Sequence, residues 1–167
     1  MTLATVSLDG KPSARMVIMR SFDQHGFCFY TDYSSRKGRE LARNPNAALT
    51  FWWPEQQRQV RIEGTVKKMS AAESDAYYHS RPLESRLGAW ASAQSQIIHN
   101  IETLEMRLSK LERTYAHKAP MRPPNWGGYR VRPNLVEFWQ SGQHRLHDRL
   151  CYIRESATSW RIERLAP

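Results

Sequence analysis

Side chains with chemical capacity gather in three stretches of this 167-residue chain. In SerSerArgLysGlyArgGlu (34–40), Arg36 and Lys37 fall in the first turn of a predicted helix that Ser35 caps and Asn44-Pro45 stops. The dipole at a helix start disfavours cations by roughly a few tenths of a kcal/mol each, while the free N–H groups there attract phosphate. Two cations in that place make sense if an anion lies between them and the helix end; a solvated basic face is the other reading. GlnHisArgLeuHisAspArg (143–149) follows an aromatic strand, GluPheTrpGln (137–140). If extended, it sets Arg145, His147 and Arg149 on one face, a cationic set around one titratable imidazole. His144 then points the other way, which argues against a two-His metal pair, and a charged edge strand is the plain alternative. TyrTyrHisSerArgPro (77–82) with Ser85 offers a phenol, a guanidinium and a hydroxyl at Tyr77, Arg81 and Ser85. These suit a phosphate monoester and equally suit an ordinary helix terminus. In TrpAlaSerAlaGlnSer (90–95), Gln94 and Ser95 supply an amide and a hydroxyl for polar ring atoms.

The elements that must position these residues follow from periodicity. Residues 2–8 and 15–20 read as a hairpin around Asp9-Gly10, and Gly26–Thr31 reads as a further strand. Ser34–Arg43 is helical, Ala47–Trp53 an apolar strand, and Gln59–Lys67 alternates with Val60, Ile62 and Val66 inward. Ala71–Ser80 and Ser85–Ala93 form short helices. Asn100 caps a longer one whose stripe is Ile101, Leu104, Leu108, Leu111 and Tyr115. After the loop AlaProMetArgProPro (119–124), strands return at Tyr129–Arg132, Leu135–Gln140, Arg149–Arg154 and Trp160–Arg164. Strands, then helices, then strands predict an α+β fold with an antiparallel sheet or barrel, in a single domain spanning 1–167.

Composition narrows the chemistry. The formal charge is +9, and nineteen of the 25 basic residues are Arg, the side chain that captures phosphate and carboxylate bidentately. An anionic ligand is expected, either nucleic acid or a phosphorylated small molecule. No run approaches the ~18 apolar residues of a membrane helix, and no signal-peptide pattern opens the chain, so a soluble, cytoplasmic protein is expected. Cys28 and Cys151 are too few for a disulfide framework or a metal knuckle. The chain lacks GxGxxG, GxxxxGK[ST], HExxH and GxSxG and shows no Cys–His nucleophile pair. A protein with phosphate-seeking sites and no nucleophile needs a cofactor for hard chemistry.

The blocks RMVIMR (15–20), FYTDYSSRKGREL (29–41), RQVRIEG (58–64), YYHSRPLESRLGAWAS (77–92), QS (94–95), WGGY (126–129), EFWQ (137–140), RLHDR (145–149) and ERLAP (163–167), in this order, resemble the pyridoxine/pyridoxamine 5′-phosphate oxidase family. The resemblance spans the chain and implies an antiparallel Greek-key split β-barrel with peripheral helices, a homodimer with two FMN sites at its interface. It implies oxidation of pyridoxine or pyridoxamine 5′-phosphate to pyridoxal 5′-phosphate, with O₂ as acceptor giving H₂O₂, and neither nucleic acid nor membrane as partner. By matching position, Arg15, Met16, Val17, Ile18, Arg20, Tyr30, Thr31, Arg36, Lys37, Gln59, Gln94, Ser95, Trp139 and Arg149 would hold FMN. Arg20, Tyr77, Arg81 and Ser85 would hold the substrate phosphate. Arg145 and His147 would lie against the substrate ring as the catalytic pair. No metal is implied. A related flavin oxidase on another aromatic substrate, of the phenazine type, and a non-enzymatic flavin- or RNA-binding domain are the alternatives. The family usually has Lys where Arg20 stands, and usually carries several dozen residues before the first strand, part of which closes over the substrate. Tight FMN binding with a weaker hold on substrate is therefore expected of this chain.

Overall fold

The computed structural model describes residues 1–167. The chain folds as two compact units, each assembled from separated stretches. The first comprises Met1–Phe29, Glu40–Lys67 and Arg130–Pro167; the second comprises Tyr30–Arg39 and Lys68–Tyr129.

Nine strands form one sheet: β1 (Thr2–Val6), β2 (Pro12–Met16), β3 (Ser21–Asp23), β4 (Gly26–Asp32), β5 (Asn46–Trp53), β6 (Arg58–Lys68), β7 (Trp126–Gln140), β8 (Asp148–Arg154) and β9 (Trp160–Arg164). Their order is β2-β1-β5-β6-β7-β4-β3, with β8 pairing β7 and β9. The predicted hairpin is β1–β2, in antiparallel register from Thr2↔Met16 to Val6↔Pro12. Gly10 supplies the positive φ, +79°, that the turn requires. Leu3, Phe29, Leu49, Ile62 and Val131 are fully buried, each contributing roughly 1.5–3 kcal/mol by leaving water. At Gly64 any Cβ would lie 2.1 Å from the carbonyl oxygen of Arg132, so β6 approaches β7 closely only because that residue is glycine.

Three sequence expectations are corrected. The strand expected over Arg15–Arg20 ends at Met16. The runs Tyr129–Arg132 and Leu135–Gln140 are one strand, β7. Pro133 removes one ladder donor but keeps its predecessor extended, so it passes through the strand without breaking it. The segment before β8 is not extended: Gln143–Arg145 is a 3₁₀ turn, with His144 and Arg145 at φ +53° and +63°. Gly142 permits that fold-back, since a Cβ there would meet the Leu146 carbonyl at 2.0 Å. Arg145, His147 and Arg149 therefore do not line one strand face.

The helices are α1 (Arg36–Arg43), α2 (Ala71–Ser80), α3 (Leu83–Ala91) and α4 (Glu102–Thr114). In α2 a capping box sets the start: Glu73 N–H donates to Ser70 Oγ at 3.2 Å, and Ser70 N–H donates to the Glu73 carboxylate at 2.9 Å. Asn100 Oδ1 accepts from Thr103 N–H at 3.1 Å, the predicted cap of α4. Of the expected α4 stripe, Leu104, Leu108, Leu111 and Tyr115 are half-buried and Ile101 is exposed. No helix is long and apolar enough to cross a membrane. Cys28 and Cys151 are buried free thiols.

Candidate active site

The second unit builds an anion cradle at the start of α1. Asp32, buried at the end of β4, accepts from Ser34 N–H at 2.7 Å and from Asn125 Nδ2 at 3.0 Å. That clamps the turn into the helix. Ser35 Oγ donates to the Asp32 carbonyl at 2.6 Å and accepts from Gly38 N–H at 3.2 Å, the N-cap arrangement expected of it. A Cβ at Gly38 would lie 2.2 Å from the Tyr33 carbonyl oxygen, so the first turn of α1 rests directly on the chain that precedes it. Onto this frame the predicted residues converge. Lys37 Nζ and Thr31 Oγ1 both donate to Gln94 Oε1, at 2.9 and 3.1 Å, and the Arg36 backbone N–H donates to Ser95 Oγ at 3.0 Å. Ser95 reaches that place at φ +66°. A helix-start N–H, an ammonium and two hydroxyls gathered this way form a donor set that fits the phosphate of FMN.

Beside it, in the same unit, lies an aromatic stack. Tyr30 and Tyr77 are stacked at 3.7 Å, Tyr30 and Trp126 at 5.6 Å, and the Arg81 guanidinium sits 4.7 Å from the Trp126 ring centre. Tyr77 belongs to α2 and Arg81 follows its last residue, while Ser85 stands in the first turn of α3. Two of the four predicted ligands of the substrate phosphate, Tyr77 and Arg81, thus pack on one ring system.

The first unit carries the remaining predicted residues. Gln59 and Trp139 line a cavity of about 590 Å³ together with Trp53, Arg58, Phe138 and Asp148. The His147 ring lies 4.7 Å from that of Trp139, and its Nδ1 accepts from Gly142 N–H at 3.3 Å. This bond assigns the neutral ring its proton at Nε2. Arg149, opposite Trp139 in the β7–β8 register, forks onto the buried Glu137 carboxylate through two bonds of 3.0 Å. That bonding raises the guanidinium pKa further. Its third nitrogen donates to the Ala166 carbonyl at 2.8 Å. Arg15 turns inward: its guanidinium bonds Thr5 Oγ1 at 2.6 Å and Leu3 O at 3.2 Å, and it lies 3.4 Å from the buried Glu40 carboxylate. Met16 and Ile18 are exposed, and Val17 N–H donates to the Met1 carbonyl at 2.9 Å. Arg20 is exposed on irregular chain, its N–H donating to the Cys28 carbonyl at 2.9 Å, and Arg145 is exposed at the end of the 3₁₀ turn.

Sequence reasoning passed over the two carboxylates that hold the site arginines. Glu40 also accepts from Thr5 and Ser13, and Glu137 also accepts from Arg61 at 3.4 Å. A signal existed for Glu137: an acidic side chain inside an apolar strand demands a buried partner.

Residues 1–115 match the family described as pyridoxamine 5′-phosphate oxidase, and residues 126–167 match the pyridoxine 5′-phosphate oxidase C-terminal dimerisation region. The chain is similar to the pyridoxine/pyridoxamine 5′-phosphate oxidase of Microcystis aeruginosa, 59% identical over all of this chain and 78% of that protein. It is 60% identical to that of Acaryochloris marina, over all of this chain and 76% of the relative. Among solved structures it resembles PhzG from Burkholderia lata 383 in complex with tetrahydrophenazine-1-carboxylic acid, with TM-score 0.93 and 34% identity over 99% of this chain and 81% of that one. A pyridoxamine 5′-phosphate oxidase-related, FMN-binding protein from Nostoc punctiforme shares the fold, with TM-score 0.78 and 21% identity over 99% of this chain and 87% of that one. The expected α+β split-barrel fold is therefore the observed one. The chain belongs to the pyridoxine/pyridoxamine 5′-phosphate oxidase family.

Proposed function

We propose how the residues of this chain divide the work of the FMN-dependent pyridoxine/pyridoxamine 5′-phosphate oxidase that its family membership makes it. The observation that carries the reading is the convergence of Lys37, Thr31 and the Arg36 N–H on Gln94 and Ser95 at the start of α1. These five residues hold the FMN phosphate. Tyr30, Gln59, Trp139 and Arg149, with Arg15 and the 16–18 backbone, are the remaining positions assigned to the cofactor by their match to the family. Tyr77, Arg81 and Ser85 of the second unit take the substrate phosphate, and Arg20 is assigned to it by its match to the family alone. Bound FMN supplies the hydride acceptor for the substrate's 4′-carbon, and O₂ is the terminal oxidant, leaving as H₂O₂. Arg145 lies against the pyridine ring and stabilises negative charge on its phenolic oxygen. His147 presents Nε2–H to the same ring. The packing of His147 against Trp139 keeps the substrate oriented, which is where positioning lowers the barrier. The amine substrate gives up ammonia when water adds to the oxidised carbon; the alcohol gives the aldehyde directly.

The dimerisation region at 126–167 supports a homodimer. We place the reaction in the cytoplasm, where the free thiols of Cys28 and Cys151 stay reduced. A flavin oxidase acting on a phenazine precursor is the second reading, favoured by the likeness to PhzG; identities of 59–60% to the pyridoxine-phosphate enzymes outweigh it. The deciding experiment is anaerobic titration of the purified yellow protein. Pyridoxine 5′-phosphate should bleach the flavin and yield pyridoxal 5′-phosphate. A flavin bleached only by a phenazine precursor would transfer the assignment to the second reading, and a protein that takes up no FMN would end both.

A further inference from the structure

We propose that Trp126 is a positioning residue for substrate-phosphate recognition, acting by holding the Arg81 guanidinium over its ring face and Tyr77 within its stack. The proposal rests on the reading that Tyr77 and Arg81 grip the substrate phosphate. Trp126 is 5% exposed, and no role beyond core packing follows from its burial alone. Its neighbours say more. The Arg81 carbon lies 4.7 Å from the indole centre, the Tyr77 ring is within 7° of parallel at 6.2 Å, and Tyr30 is within 18° at 5.6 Å. A guanidinium laid on an indole is held by the ring quadrupole through its face, and its N–H donors point outward from its edge. That orientation suits bidentate capture of a phosphate.

Trp126 is fixed from several sides. Its backbone N–H donates to the Pro123 carbonyl at 3.1 Å, and its backbone carbonyl accepts from Arg122, which also bonds Asp75 of α2 at 2.7 Å. Tyr78 meets the ring edge-on at 5.6 Å. The next residue, Gly127, packs closely on Tyr33, and a Cβ there would lie 2.2 Å from the Tyr33 hydroxyl. Through Arg122 and Asp75 the Trp126 backbone is therefore tied to the helix that carries Tyr77, and its ring face meets the residue that follows that helix. A shift of the indole would displace both phosphate ligands together.

The test compares binding of pyridoxal 5′-phosphate with binding of pyridoxal to the FMN-loaded protein, by equilibrium titration, in a cycle of Trp126 and Arg81 variants. Trp126→Leu should weaken pyridoxal 5′-phosphate about tenfold, change pyridoxal by less than about twofold, and leave FMN content intact. Trp126→Phe, which keeps an aromatic face, should lose only about threefold. In an Arg81→Ala background, Trp126→Leu should cost nothing further, because the group it positions is gone. Equal weakening of both ligands, or a full additional loss in the Arg81→Ala background, would overturn the positioning role and leave the pocket assignment standing. If Arg81→Ala itself leaves pyridoxal 5′-phosphate affinity unchanged, the pocket assignment fails and the role of Trp126 falls with it. Should the leucine variant not fold, the phenylalanine variant decides: its threefold loss must vanish when Arg81 is Ala.

Discussion

At the start of α1, Gln94 Oε1 takes bonds from Lys37 and Thr31, and Ser95 Oγ takes the Arg36 N–H. Those are donors that a phosphate oxygen would claim with its greater charge. Replacing both Arg36 and Lys37 by Ala should weaken FMN binding by about 2 kcal/mol or more, since both side-chain charges are lost while the Arg36 backbone N–H remains. A fluorescence-quenching titration measures this, and unchanged affinity would remove these residues from the phosphate site. Glu137 makes a different demand. It is buried and takes both forks of Arg149 as well as Arg61, so Glu137→Ala leaves Arg149 only the Ala166 carbonyl and Arg61 only Glu63. Because Arg149 and Arg61 keep some solvent contact, the expected cost is about 2–3 kcal/mol of stability, less than for a fully buried pair. Chemical denaturation checks it, and FMN affinity should fall in parallel as Arg149 loses its orientation. Arg36 and Lys37 were legible in the sequence because a capped helix start has a fixed polarity. Glu40 was not. On an amphipathic helix a glutamate reads as solvent-facing, and its partner Arg15 lies 25 residues earlier.

Elements place these residues through a few points of close approach. Gly38 lets the first turn of α1 rest on the Tyr33 carbonyl, and any Cβ there would meet that oxygen at 2.2 Å. Backbone cannot swing aside as a flexible side chain does. Gly38→Ala should therefore destabilise the protein by about 2 kcal/mol or more, through overpacking, and should also weaken FMN binding, because the helix start moves with it. A thermal melt and a flavin titration on the same preparation test both; retention of full FMN affinity in the alanine variant would separate the cradle from this contact. The strands with clear alternation, such as β6 with Ile62 and Val66 buried, were readable because burial of one face imposes a period of two. The length of β7 was not, since Pro133 looks like a break in one dimension, yet it keeps its predecessor extended and the strand runs on through it. The turn at Gln143–Arg145 escaped for a related reason. Its left-handed residues are His144 and Arg145 rather than the glycine beside them, and φ at such positions is set by the tertiary fold.

For the whole molecule, composition predicted an anion-binding globular chain. The division into two units did not show, because each is made of stretches far apart in sequence. The dimer enters at this scale. Phe138, Leu146 and Ile162 are exposed apolar residues within the segment that matches the dimerisation region. Sedimentation should find a dimer that loses flavin as dilution dissociates it; a monomer retaining stoichiometric FMN would contradict an interfacial site. Stability against alkali is set by buried phenols. Burial, and then the neighbouring Tyr33, pushes the Tyr129 phenol up to about 12, and burial also raises Tyr33 and Tyr78. In the unfolded chain a tyrosine titrates near ~10. Above that pH the unfolded chain releases protons that the native state keeps, so the native state binds more protons and stability falls as pH rises. The contribution is intact below about pH 10 and is lost as pH climbs toward 12, the value set by Tyr129. Tyr129→Phe removes the titrating group at the cost of one long hydrogen bond, 3.4 Å, to the Gly38 carbonyl. At pH 8 that variant should lose no more than about 1 kcal/mol, while its melting temperature should decline less steeply than that of the parent between pH 10 and 12. If the two declines run parallel, Tyr129 is not the group that sets alkaline stability.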